Sequence, residues 1–167
     1  MPSAALERHP ATPCAAVRGI SVDVERQDGC LHLTYTFEGA TDRLRIPAPR
    51  APRFVDGLWQ HTCCELFVAR PGGGYREFNF SPSGEWAAYE FDGYRTGRRA
   101  IEARPDIVLR GKQLEVSLEE KAARIGLSAV IEEQDGTISY WALRHAPGKP
   151  DFHHPQAFAM ELDAIRH

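Results

Sequence analysis

A chain of 167 residues can bury a substantial core but is short for two domains, and its 43% apolar and 26% charged content is that of a globular protein rather than a disordered one. The formal charge of −3, with no cluster of basic residues beyond Arg95, Arg98 and Arg99, excludes a nucleic-acid-binding footprint. No apolar run approaches the roughly 20 residues of a membrane span, and the N-terminus lacks the basic-then-apolar order of a secretory signal, so a cytoplasmic protein with no membrane partner is expected.

In chain order, residues 1–14 hold three prolines and no hydrophobic period and read as a flexible arm ahead of one domain spanning 15–167. Alternation begins with Ile20, Val22 and Val24, turns at Asp28-Gly29, and resumes with Leu31, Leu33, Tyr35 and Phe37, which predicts a β-hairpin. A second hairpin is predicted from Cys64, Leu66 and Val68, the turn Pro71 to Gly74, and Phe78 and Phe80. Further strands are expected at 86–91, 106–110, 113–118, 127–133, 137–143 and 157–162, with a short helix at 119–125. With so little helix to cover a parallel sheet, the pattern predicts an all-β fold. Two antiparallel sheets packed as a sandwich of immunoglobulin-like or jelly-roll aspect are expected, with a closed barrel as the alternative.

Cys14, Cys30, Cys63 and Cys64 show no C-x-x-C spacing and are expected as free thiols, the adjacent pair pointing to opposite faces of a strand. No cofactor is expected.

Trp59, His61 and Glu65 share one parity ahead of and within the Cys64 strand, and Tyr75, Glu77 and Asn79 share one parity in the next. If the apolar sets face the core, acids, an amide and rings gather on the opposite face. Paired arms would bring Glu65 and Glu77 close, and like charges that near must share a proton, a ligand or a cation. The plain alternative is a solvated outer face, and a tryptophan alone is more often a packing residue than a platform. Later in the chain, His145, Asp151 and His153, with His154, are the types that could hold a metal, but no strict ligand spacing supports them, and a hydrogen-bonded loop is the commoner outcome. No Gly-x-Ser-x-Gly elbow is present, and Ser81 to Gly84 reads as a turn.

The segments 58–67, 75–84 and 139–143, above all Glu77-Phe78-Asn79-Phe80-Ser81-Pro82-Ser83-Gly84-Glu85-Trp86-Ala87-Ala88-Tyr89, resemble the bacterial DOMON-like proteins over roughly residues 54–162. These are related to the DOMON superfamily and the family-nine carbohydrate-binding modules. The resemblance implies a β-sandwich that binds sugars or, in some relatives, haem. In the family-nine modules a sugar lies between two tryptophans, with an acid six residues after the first; Trp59, Glu65, Glu77, Asn79 and Trp141 are similar in order and type. Haem relatives use Met, His or Lys ligands, for which Met160 reads as core and His61 or His145 stands without a partner.

The expected function is therefore a non-enzymatic domain whose concave sheet face, carrying Trp59, His61, Glu65, Glu77, Asn79 and Trp141, binds a saccharide or similar small polar ligand. The alternatives are a hydrolase using Glu65 and Glu77 or a metal, a haem protein, and a domain that binds a protein partner.

Overall fold

At the Asp28-Gly29 turn both residues have positive φ, 53° and 79°. That is the left-handed geometry that matches a two-residue turn to the twist of its strands. It joins β2 (Val17–Gln27) to β3 (Cys30–Gly39) in a register running from Gln27↔Cys30 to Ile20↔Phe37. The computed structural model describes residues 2–162. Around this hairpin lie β1 (Ser3–Arg8), β4 (Cys63–Ala69), β5 (Tyr75–Phe80), β6 (Trp86–Phe91), β7 (Arg99–Ala100), β8 (Asp106–Arg110), β9 (Gln113–Glu119), β10 (Arg124–Glu132), β11 (Ile138–Ala142) and β12 (Met160–Glu161).

Hydrogen bonding traces one path, β7-β6-β5-β4-β10-β11-β1-β2-β3-β9-β8, with β12 added beside β10. The path doubles back at β1, where Ser3 to Leu6 pair with β2 while Glu7 and Arg8 pair with β11. This produces two antiparallel leaves packed face to face, the first β2-β3-β9-β8 and the second β7-β6-β5-β4-β10-β11, stitched by β1. Ile20, Val22, Val24, Leu31, Leu33 and Tyr35 of the first leaf bury against Cys64, Leu66, Val68, Phe78, Phe80, Leu127 and Ile131 of the second. The Tyr35 hydroxyl, wholly buried, donates across the interface to the Glu65 carbonyl at 2.8 Å.

The second leaf is covered on its other face as well. Phe67, Tyr75, Ala87, Tyr89 and Phe91 form a smaller cluster there, roofed by Phe158 and Phe152. That is why β4, β5 and β10 are buried almost without interruption. Cys63 and Cys64 point to opposite faces, as a period of two requires: Cys64 joins the core between the leaves, and the Cys63 Sγ donates to Glu65 Oε2 at 3.5 Å. Among the described residues no helix is long and apolar enough to cross a membrane.

Two expectations are corrected. The segment 1–14 is not a loose arm throughout, because residues Ser3–Arg8 form the strand that links the leaves, with Leu6 buried. Its stability comes from main-chain pairing on both sides, which leaves little trace in hydrophobic pattern. Residues 119–125 form no helix. Glu119 ends β9, the Glu120 N–H is taken by the Gly29 carbonyl at 3.2 Å, Ala122 packs in the core, and Arg124 and Ile125 already belong to β10. Tertiary packing overrides local helix preference there.

Leu6→Ala should lower the unfolding free energy by about 2–4 kcal/mol, the usual result of truncating a buried leucine, as measured by urea denaturation. A change near zero would mean that the Leu6 side chain is not buried in the core between the leaves.

Candidate functional site

The site is built on the outer face of the second leaf. β4 and β5 pair with Glu65 opposite Asn79 and Phe67 opposite Glu77, so the two glutamates are diagonal neighbours on one face. Glu65 is 2% exposed, Glu77 6% and Asn79 0%. β6 places Tyr89 opposite Glu77 and Phe91 opposite Tyr75. On the other flank β10 sets Ser128 beside Glu65, and β11 sets Tyr140 beside Val130.

Loops raise the walls. A single 3-10 turn, Leu58–Gln60, carries Trp59; residues 92–98 bring Arg95 and Arg98; residues 149–153 bring Pro150, Phe152 and His153. Together they enclose a cavity of about 360 Å³ with Glu65 and Glu77 among its lining groups. That volume lies in the range of small-molecule sites, as does the mixture of rings with a few polar groups.

Desolvation is the dominant influence on the floor. It raises the Glu65 carboxyl well above the ordinary range, helped by the neighbouring Glu77, and raises Glu77 to about 7. The two carboxyls lie within hydrogen-bonding reach, and the consistent arrangement has Glu65 keeping its proton and donating it to Glu77. With its amide nitrogen turned toward acceptors, Asn79 donates to Glu77 Oε2 at 3.0 Å and to the Phe78 carbonyl at 3.3 Å.

A relay fixes His153. The Arg95 backbone N–H donates to the Tyr75 hydroxyl at 3.1 Å, and that hydroxyl is hydrogen-bonded to His153 Nδ1 at 2.7 Å. Its Nε2 lies 3.6 Å from Glu77 Oε1. Burial, and then the nearby Arg95, lower the His153 pKa to about 4, so the imidazole is neutral at physiological pH. Arg95 itself has a φ of 53°, a region that non-glycine residues enter at a cost. Its side chain pairs with Asp151 at 2.8 Å. Arg98 pairs with Asp56 at 2.8 Å and lies over Tyr89, 4.2 Å from the ring centre, and beside Trp59 at 5.7 Å. Asp56 also accepts from the Tyr89 hydroxyl. The Ser128 Oγ, next to Glu65 in register, is buried with no hydrogen-bond partner among the described residues.

Of the six residues expected from sequence, Trp59, Glu65 and Glu77 line one cavity, and Asn79 orients Glu77 from the same face. Two stand elsewhere. His61 lies in the bend between the 3-10 turn and β4, outside the strand, and its Nδ1 meets Oε1 of the buried Glu132 at 3.0 Å. Trp141 faces the core between the leaves, 4% exposed, with its indole N–H on Ser139 Oγ at 2.9 Å. The β10–β11 register turns Tyr140, not Trp141, toward the cavity.

The metal candidates do not converge either. His145 donates to the Glu7 carbonyl and packs edge-on to His9, while Asp151 and His153 are held by Arg95 and Tyr75. No group of three potential ligands forms among the described residues. Tyr89, Tyr140, Phe152, Arg95 and Arg98 were not anticipated. Tyr89 was within reach of the sequence, since a tight turn at 81–85 sets it opposite Glu77, whereas the others depend on loop paths.

No family model matches the chain, and no curated protein sequence matches it. Among solved structures, the chain is similar to one from Bacteroides uniformis ATCC 8492 described as a "putative carbohydrate-binding protein". The TM-score is 0.60 at 14% identity, over 93% of this chain and 83% of the other. At that identity the likeness establishes the all-β fold.

The buried acids make stability depend on pH in a definite sense. Glu77 holds its proton in the folded state up to about 7 but in the unfolded chain only to the ordinary glutamate value near 4.3. Between those values the folded state binds the extra proton, so this contribution is present at low pH and lost as pH rises. Relative to wild type, Glu77→Gln should therefore gain about 1–3 kcal/mol between pH 5 and pH 8, read from denaturation at both. A constant difference would show that Glu77 ionises normally.

Proposed function

We propose that the cavity on the second leaf binds a small polyhydroxylated ligand of saccharide type. The observation that carries this reading is the juxtaposition of two buried carboxyls, Glu65 and Glu77, diagonal neighbours on one face, with Trp59, a large ring left 38% exposed in the lining of the same cavity. Each half has a use in holding a sugar. A carboxyl that shares a proton offers both a donor and an acceptor to neighbouring hydroxyls, and in a desolvated site such bonds discriminate strongly against ligands that cannot make them. The rings of Trp59, Tyr140 and Phe152 offer apolar faces to the C–H surface of a pyranose.

The fold-level likeness to the Bacteroides uniformis protein and the resemblance to family-nine carbohydrate-binding modules agree with this reading, with one change. The buried Trp141 cannot supply the second stacking ring, and Tyr140, packed 6.0 Å from Phe152, takes that position. Binding is favoured over glycoside hydrolysis by the carboxyl geometry. Glycosidase carboxyls flank the scissile bond, whereas Glu65 and Glu77 are diagonal neighbours on one face of a single strand pair and lie side by side in the cavity lining.

A thermal-shift screen against mono- and oligosaccharides, followed by calorimetric titration, tests the proposal. A saccharide at a hundred times its dissociation constant should stabilise the protein by about 2.7 kcal/mol. Trp59→Ala, at a half-exposed position, and Glu77→Gln should each weaken binding by about tenfold or more. A panel in which no saccharide shifts the melting temperature would overturn it.

A further inference from the structure

The open edge of the first leaf has a pattern that fits one partner. β8 pairs with β9 on one side, and among the described residues no strand pairs with its other side. It reads Asp106, Ile107, Val108, Leu109, Arg110, with no proline, no lysine and no bulge to blunt the edge. Val108 is 41% exposed and Leu109 38%.

The β8–β9 hairpin settles which main-chain groups are free. Its two-residue turn is Gly111-Lys112, with Gly111 at φ 59°, and such a turn closes on a hydrogen-bonded pair, here Arg110 and Gln113. Hydrogen bonding alternates along an antiparallel strand, so Arg110, Val108 and Asp106 direct their main-chain groups to β9. Ile107 and Leu109 direct their N–H and C=O groups outward.

We propose that β8 pairs antiparallel with β8 of a second copy of this chain, about a two-fold axis at Val108, joining two first leaves into one continuous sheet. In that register Asp106 lies opposite the partner's Arg110, and the reverse, because each is two residues from Val108. Those are non-hydrogen-bonded positions, where side chains approach most closely. Ile107 lies opposite the partner's Leu109 in the hydrogen-bonded positions, so the outward groups of both strands are satisfied together. A parallel in-register pairing would set acid on acid and base on base. Within its own chain the Arg110 Nε donates to Glu115 Oε2 at 2.7 Å on the exposed surface. The symmetry is isologous and closes at two copies. Five residues on each side make a small interface, which places the affinity in the weak, micromolar class.

Sedimentation velocity from low micromolar to millimolar concentration tests this on the whole protein. The mass should rise from monomer to dimer with concentration. Leu109→Pro should abolish the rise, since it removes an outward N–H and leaves the β9 pairing in place. Asp106→Arg and Arg110→Asp should each weaken association by about tenfold or more, and the double reversal should restore it, which separates loss of pairing from loss of folding. A monomer at every concentration, or a dimer indifferent to both single reversals, would overturn the proposal. Neither result touches the saccharide reading.

Discussion

The burial of the second leaf on both of its faces is the condition on which the site depends. One face packs against the first leaf, and the other is roofed by the loop that carries Phe152, His153 and Phe158. Glu65 and Glu77 therefore sit in a strand pair that has lost water on both sides, and desolvation outweighs every other influence on their protonation. An exposed sheet face with the same residues would leave two ordinary carboxylates. The second cluster of aromatics, modest beside the main core, converts a polar stripe into a chemical site.

The polar network around the acids is nearly closed. Asn79 fixes Glu77, the Arg95 backbone and Tyr75 position the ring of His153, and Asp56 and Asp151 hold the two arginines of the rim. Such chains lock side chains in place before a ligand arrives, which reduces the entropy that binding must overcome. Two features stand outside this closure: the unpartnered Ser128 Oγ next to Glu65, and the half-exposed Trp59.

The two leaves carry different burdens. The second is covered on both faces and holds the cavity, whereas the first has one face in the core and ends in the open edge of β8. Main-chain groups left unpaired at an edge invite a further strand, and the order of charges along β8 restricts which strand satisfies it. The cavity proposed for ligand and the edge proposed for self-association thus fall on opposite leaves, joined through β1 and the Tyr35–Glu65 hydrogen bond.

The sequence by itself determined the all-β class, the Asp28-Gly29 hairpin, and the faces of β4 and β5, because alternation with a period of two assigns Cys64, Leu66, Phe78 and Phe80 to one side and Glu65 and Glu77 to the other. It left open whatever depends on main-chain pairing or on loop paths. β1 is held mostly by hydrogen bonds that every residue type can make, so its residues gave no hydrophobic signal. Trp141 and Tyr140 are both aromatic neighbours in one strand, and only the register against β10 decides which faces the core. His61 lost its expected face because it lies in the bend between the 3-10 turn and β4, outside the strand whose alternation would fix its side. Arg95, Arg98, Phe152 and His153 reach the cavity from loops distant in sequence, and the physical reason is the same for each: short-range periodicity encodes which side of a strand a residue takes, while its partners are set by packing between segments that the chain brings together only on folding.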